Sequence, residues 1–156
     1  MELNALKNMS VAQMAEIVPH TPGWYGGRLA SFAFDERTKK DDPDTKWVEV
    51  TLMFTAEEPL SGQSMDNVAI NRRYPHKIRV FNEQDTGNII ELGKRLRPDV
   101  PTPLELRTKG EDGGTLEQYL EQLINTQARI ELVVDEWFKQ NRDREVLVVK
   151  SVRKMA

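Results

Sequence analysis

The sequence contains no cysteine, and that absence removes several kinds of chemistry at once. Without a thiol, the chain has no disulfide, no thiolate metal ligand and no cysteine nucleophile. A chain without disulfides suits a reducing compartment, so we expect a cytoplasmic protein. No apolar run reaches the roughly 18 residues of a membrane-spanning helix, and the N-terminus lacks the basic-then-apolar order of a secretory signal. We therefore expect no membrane partner.

Motifs for catalysis are missing as well. The two histidines, His20 and His76, are far apart in the sequence and have no metal-ligand spacing. The chain has no Gly-x-Ser-x-Gly, P-loop or Gly-x-Gly-x-x-Gly motif. Acidic residues cluster at 41–44, 57–58 and 111–112, where such clusters usually solvate loops. The sequence predicts a protein that is not an enzyme and has no metal or cofactor. A hydrolase or nuclease using clustered carboxylates and a divalent metal is the remote alternative.

The composition indicates one modest globular domain. The chain has 156 residues, of which 38% are hydrophobic and 30% charged, enough apolar material for a single core. Its net charge is −3, so a nucleic-acid function would need a local basic face.

Alternating apolar residues predict three strands in the first half, at residues 24–35, 47–54 and 64–70. Residues 77–81 either extend the third strand or form a short separate one. In the second strand Val48, Val50, Leu52 and Phe54 should face the core, which turns Trp47 outward. The pair Gly26-Gly27 predicts a bulge or a close backbone approach in the first strand.

Helical spacing appears in three places. A capping box at Ser10 begins a short helix that ends before Pro19, so residues 1–18 form an arm that is either packed on the domain or mobile. Residues 85–97 predict a helix with Ile89, Leu92, Gly93 and Leu96 on one face. A charged loop at 39–44 and a glycine-bearing loop at 107–114 are also expected. A second capping box at Thr115 begins another helix.

The last part of the chain predicts a strand–turn–strand hairpin at residues 128–154. Its strands are 130–138 and 146–152, joined by a polar turn at 139–144. Three strands, a helical region and two strands follow the order of a five-stranded OB barrel. We therefore predict a mostly β, α+β fold: a single OB-like domain over residues 19–154, with a helical insertion at about 85–127 between strands three and four, and the N-terminal arm.

Two segments resemble phage-type single-stranded-DNA-binding proteins. Residues 22–28, Pro-Gly-Trp-Tyr-Gly-Gly-Arg, are followed by Thr38-Lys39-Lys40, and this family often begins with a P-x-G-x-Y-x-G/A-x-I segment. Residues 58–67 resemble the family's entry to its third strand. The resemblance spans 19–154 and implies an OB fold that binds single-stranded DNA in phage-like replication or recombination, in the host cytoplasm. The basic ending, residues 150–156, departs from the acidic tail that many such proteins use to recruit partners.

The most basic segment is 72–79, where Arg72, Arg73, Lys77 and Arg79 occur without an acid. Binding of a single strand needs a cationic groove for phosphates and exposed aromatic rings for bases. The interpretation is that these cations meet phosphates while Tyr74 stacks on a base. The alternative is an edge strand kept soluble by its charge.

Trp47 and Trp137 are predicted on outward strand faces, as stacking platforms or as rings covered by a helix or a partner subunit. Trp137 adjoins the basic turn containing Lys139, Arg142 and Arg144.

We predict a protein that binds single-stranded DNA, or RNA, without sequence specificity and can form a homo-oligomer. The alternative is a structural or protein-interaction domain of a virion or assembly. The candidate nucleic-acid-binding residues are Trp47, Arg72, Arg73, Tyr74, Lys77, Arg79, Trp137, Lys139, Arg142 and Arg144.

Overall fold

A computed structural model describes residues 2–9, 21–60, 72–143 and 146–155 of the chain. The predicted helix after Ser10 and the predicted strand at 64–70 lie outside the described residues. The elements in chain order are α1 (Leu3–Lys7), β1 (Gly23–Lys39), β2 (Asp42–Pro59), β3 (Arg73–Val80), a 3-10 turn (Glu83–Asp85), α2 (Thr86–Leu96), α3 (Pro103–Thr108), α4 (Leu116–Gln122), β4 (Gln127–Val134), α5 (Glu136–Arg142) and β5 (Leu147–Lys154).

The strands form one antiparallel sheet of five strands in the order β3-β2-β1-β4-β5. This confirms a mostly β, α+β fold with helices between the third and fourth strands. Among the described residues no ladder joins β3 to β5, so the sheet is not closed into a barrel. The two edge strands nevertheless lie close together, and a side chain bridges them: the Nδ1–H of His76 on β3 donates to the carbonyl oxygen of Val149 on β5, 2.8 Å away.

Strand β1 is the central strand of the sheet. Residues 23–28 pair with β4 and residues 25–39 pair with β2, so that Gly27 lies opposite both Ala128 and Ala56. The β1–β2 register shifts between Gly26 and Gly27, and the carbonyl oxygen of Thr55 occupies the space where a Cβ on Gly27 would stand. The predicted bulge and close approach are both present.

The core lies on one side of this sheet. Val50, Leu52 and Phe54 are buried there and Val48 packs against it, as the alternation predicts. Cross-strand partners on the same side complete the layer; those that are buried include Leu29, Tyr74, Ala128, Ile130, Leu132, Val149 and Val152.

The helices between β3 and β4 cover that core. In α2 the four predicted positions Ile89, Leu92, Gly93 and Leu96 are buried. The predicted capping box of α4 is confirmed, because Thr115 and Gln118 exchange side-chain and backbone hydrogen bonds. Part of the predicted loop at 107–114 is helical instead. Thr102 caps α3 and Pro103 occupies its first turn, so the helix continues to Thr108.

The predicted closing hairpin is wrong in its middle. Strand β4 ends at Val134, because the Asp135 carboxylate accepts the backbone N–H groups of Trp137 and Phe138 and starts α5. Most of the predicted polar turn at 139–144 is therefore helix. The predicted charged loop at 39–44 is also shorter than expected, since β1 ends at Lys39 and β2 begins at Asp42.

The fold should depend strongly on Gly27. We expect Gly27→Ala to lower the free energy of unfolding by about 3 kcal/mol or more, because the new methyl group overlaps a backbone carbonyl that cannot move without breaking the ladder. Gly87→Ala is the matched control. A Cβ added at Gly87 would meet no described atom within 4 Å beyond its chain neighbours and the backbone of its own helix, and alanine should raise helix stability by about 0.5–1 kcal/mol. Urea denaturation followed by circular dichroism measures both, and equal effects would contradict the steric argument.

His76 should make stability depend on pH. Burial lowers its pKa below the usual 6.5, and the hydrogen bond to Val149 opposes this only in part. Between the folded and unfolded pKa values the unfolded chain binds more protons, so stability falls as pH drops below about 6.5 and levels off below the folded pKa.

We therefore expect His76→Gln to remove that loss, since the amide still donates to Val149 but does not titrate. The measurement is the free energy of unfolding from pH 8 to pH 5, with His20→Gln as control. Parallel pH curves for the His76 variant and the unaltered chain would rule this out.

Candidate nucleic-acid interface

The strand register determines which basic side chains share a face. Directly paired residues point to the same side of a sheet. On β3, Arg73, Lys77 and Arg79 pair with β2 residues that alternate with the buried core positions: Thr55, Thr51 and Glu49. All three cations therefore project from the side opposite the core, and all three are exposed.

We call this side of β1, β2 and β3 the outer face. Its cationic and aromatic side chains are Arg28, Arg37, Trp47, Arg73, Lys77, Arg79 and Phe81. Arg28 and Arg37 belong to it because they pair with Thr55 and Trp47 across the β1–β2 ladder. These two arginines were not among the residues predicted from the sequence. The signal that finds them is the alternation of β1 combined with its register against β2.

Acidic side chains partly neutralise the β1 edge of the outer face. Arg37 Nε lies 3.3 Å from Glu49 Oε2, and Arg28 Nε lies 3.4 Å from Glu57 Oε1. In contrast Arg73, Lys77 and Arg79 make no ion pair within the part of the chain that the structure describes. The positive charge available for an anion is thus concentrated along β3.

Trp47 forms an aromatic cluster at one end of this cationic row. The Arg79 guanidinium lies 5.1 Å from the Trp47 ring centroid, and the Phe81 ring centroid lies 5.6 Å away at 40°. A cavity of about 440 Å³ opens beside the cluster, and its charged lining residues are Arg37, Lys46 and Glu36. Phe81 is 52% exposed, whereas Trp47 is half-buried. A planar base entering this cavity would meet two rings, two cations and one carboxylate.

Tyr74 is not part of this surface. It pairs with Phe54 on the core side of the sheet and is only 5% exposed. Its ring fills the core in this arrangement and is not accessible to a base. Arg72 lies just before β3 and is half-buried. Within the segment 72–79, successive strand residues therefore face the core and the outer surface in turn.

The second predicted group lies on a helix instead of a strand. Trp137 on α5 is 54% exposed, with the Arg142 guanidinium 5.5 Å from its ring centroid and the Phe138 ring 5.2 Å away. Lys139 on the same helix is exposed, and Arg144 lies outside the described residues. This group occupies the β4–β5 connection and does not belong to the outer face.

An arginine stacks on each of the three tryptophans. Besides the pairs at Trp47 and Trp137, Arg153 of β5 lies 5.0 Å from the ring centroid of Trp24. A guanidinium over an indole face is attracted by the ring quadrupole and presents a flat cationic surface outward. Bases can stack on such a surface as well as on the ring itself.

Other kinds of site find no support in the described residues. Within 2–9, 21–60, 72–143 and 146–155, no group of three or more histidine, aspartate or glutamate side chains is placed to hold a metal ion. Over the same residues, no helix has both the length and the apolar composition needed to cross a membrane.

No protein-family model matches the chain, and no curated protein matches it either.

The cover that Arg79 provides for Trp47 can be measured directly. In a chain where Trp24 and Trp137 are replaced by phenylalanine, Arg79→Ala should expose the indole face, so that acrylamide quenches Trp47 more strongly and its emission moves to longer wavelength. Lys77→Ala is the matched control, because it removes one charge from the same face without touching the ring. Equal quenching in the two variants would contradict the stacked arrangement.

Proposed function

We propose that the protein binds single-stranded DNA across its outer face, without sequence specificity, in phage-like replication or recombination. The observation that carries this proposal is a row of three cations on β3, Arg73, Lys77 and Arg79, which ends at the Trp47–Phe81 cluster. Among the residues that the structure describes, these cations form no ion pair. A row of cations with stacking rings is the combination that non-specific binding of a single strand needs. RNA is the alternative ligand, since neither the cations nor the stacking rings distinguish ribose from deoxyribose.

The fold that we propose is a partly open OB-type barrel. The strand order, the helices between β3 and β4, and the double pairing of β1 all support it. The contact between His76 and Val149 supports it further, because an OB barrel closes between its third and fifth strands. Barrels of this type bind oligonucleotides on the face of strands two and three and with the loops joining strands one to two and four to five.

The geometry suggests how a strand would lie. From Arg73 to Arg79 is six residues, or roughly 20 Å along β3. That length suits a few nucleotides, within the site size of a single OB domain. We infer that phosphates follow β3 while a base enters the cavity beside Trp47. Lys139 and Arg142 near Trp137 would contact a continuation of the strand from the β4–β5 connection. From the resemblance to phage-type binders we propose that the protein acts in the host cytoplasm.

Fluorescence titration with oligo-dT at several salt concentrations tests the proposal. We expect micromolar or tighter binding at low salt that weakens steeply as salt rises, because bound phosphates release counterions. Replacing Arg73, Lys77 and Arg79 together by alanine should weaken binding about tenfold or more and reduce the log–log salt slope by about 2.

The matched control replaces three cations on or next to the helices, Arg95, Arg107 and Lys109, which are exposed and form no ion pair among the described residues. Because the proposal gives none of them a contact with the strand, this control should lose much less affinity than the β3 variant. Equal losses in the two triple variants, or no binding at micromolar protein, would overturn the proposal.

A structural or protein-interaction role is the second candidate. Trp137 is 54% exposed and packs edge-on against the half-buried Phe138, so a partner subunit could cover the indole ring. A homo-oligomer that shields Trp137 from quenching and does not bind oligo-dT would favour this candidate over nucleic-acid binding.

A further inference from the structure

An apolar groove lies among the helices that cover the core side of the sheet. It has a volume of about 550 Å³ and is bounded by α2, α3 and the start of α4. Its apolar lining residues are Ile90, Pro103, Leu104 and Leu116. Leu104 is 71% exposed, more than any other large apolar side chain in the part of the chain that the structure describes. We call it the helix groove.

Local structure keeps the helix groove open. On α2, Gly87, Ile90, Glu91 and Lys94 are spaced three or four residues apart, so they share a face beside the buried one. A side chain at Gly87 would meet nothing within 4 Å beyond its own helix and its chain neighbours, so this end of the groove is unobstructed. Leu104 stands in the first turn of the short helix α3 and is left uncovered.

Helix α1 presents a second uncovered apolar surface. Leu3 and Leu6 are three residues apart and therefore lie on one face of the helix. They are 66% and 57% exposed, and no residue of α1 is buried. The residues that line the helix groove include none from 2–9. In the described structure of a single chain, both the groove and the leucines of α1 therefore lack apolar cover.

The two surfaces match in size and in charge. A groove of this volume can hold a small organic ligand, so the side chains of two leucines fit within it. Lys7 of α1 and Glu91 of the groove are exposed, and neither forms an ion pair among the described residues. If α1 lies antiparallel to α2 with Lys7 beside Glu91, Glu2 points toward the basic last turn of α2. The parallel direction would bring Glu2 toward the acidic turn Glu83–Asp85 instead.

We propose that α1 of a second copy of this chain binds in the helix groove, antiparallel to α2. Leu3 and Leu6 then pack against Ile90, Leu104 and Leu116. Because every copy carries both surfaces, two copies can exchange their α1 helices about a two-fold axis and cover both surfaces in each. An interface made by two short helices is small, so the dimer should be transient, with a dissociation constant on the order of tens of micromolar.

This interface is separate from the outer face. The helix groove is formed by helices on the core side of the sheet, whereas Arg73, Lys77 and Arg79 project from the opposite side. The dimer therefore leaves the outer face uncovered, and the argument for it does not rest on the function proposed there. The triple alanine variant of these three cations should dimerise as the unaltered chain does, so the two proposals can fail independently.

Sedimentation equilibrium of the full chain, from about 1 to 500 μM, measures the dimer. We expect Leu104→Ser to weaken dimerisation about tenfold or more, and the double variant Leu3→Ser, Leu6→Ser to do the same, because each removes apolar burial from one side of the contact. These side chains are highly exposed, so the fold should be unaffected, as circular dichroism will check. Phe34→Ser is the matched control: it removes an exposed apolar side chain of β1 outside the groove and should leave the dimer unchanged.

Charge reversal tests the direction of α1. Lys7→Glu and Glu91→Lys should each weaken the dimer about threefold, in the range of an exposed ion pair. The chain that carries both reversals should regain the original affinity, because the pair is restored with its signs exchanged. Additive losses in the double variant would contradict the antiparallel arrangement.

Cross-linking distinguishes a second copy from the chain's own α1. The chain has no cysteine, so each introduced thiol is unique. Under oxidation, a mixture of Lys7→Cys and Glu91→Cys chains should give a covalent heterodimer, seen by mass spectrometry. Replacing the second partner by Arg107→Cys, an exposed position on α3 outside the groove lining, should give much less.

Three results would overturn the proposal. The first is a chain that remains monomeric up to 500 μM. The second is an unchanged dimerisation constant in Leu104→Ser. The third is an intramolecular disulfide, formed at low micromolar concentration in a chain that carries both Lys7→Cys and Glu91→Cys, because it would assign the groove to the chain's own α1. Disulfides that form only between chains, and only at concentrations where the dimer forms, support it.

Discussion

The close approach of Gly27 to the carbonyl of Thr55 is the constraint on which the sheet depends. Gly27 lies in the central strand of the sheet, opposite Ala56 of β2 and Ala128 of β4, and the β1–β2 register shifts just before it. Only a residue without a Cβ fits there, because the carbonyl oxygen of Thr55 occupies that space. A bulge of this kind bends a strand and increases its twist. The two edge strands of the sheet approach each other at His76 and Val149, and the outer face is built on the same β1–β2 ladder.

Local signals in the sequence predicted much of the fold. The alternation of Val48, Val50, Leu52 and Phe54 identified the core side of β2, and helical spacing identified the buried face of α2. The error after Val134 arose where two signals compete. The alternation of β4 can be continued through Phe138, whereas Asp135 is also a strong N-cap. The cap prevails because the Asp135 carboxylate accepts the backbone N–H groups of both Trp137 and Phe138 at the start of the helix.

The candidate site was harder to predict because charge density along a segment says nothing about which way its side chains point. In β3 every second residue enters the core, so Tyr74 and His76 are on the core side while Arg73 and Lys77 are outside. The alternation of side chains is present in the sequence, but assigning each side chain to the core or the surface requires knowing where the strand begins. The contributions of Arg28 and Arg37 required still more, since they depend on the register between β1 and β2.

The net charge of −3 gives a further reason to look at surfaces one by one. Charges on exposed groups act over about 8–10 Å at physiological ionic strength, so the overall negative charge neither attracts nor strongly repels a polyanion at contact distance. What matters is the placement of acids. Glu49 and Glu57 lie within ion-pair distance of Arg37 and Arg28 on β1, whereas Arg73, Lys77 and Arg79 of β3 form no ion pair among the described residues. A chain with a negative net charge can in this way keep a local row of positive charge on one side of one strand.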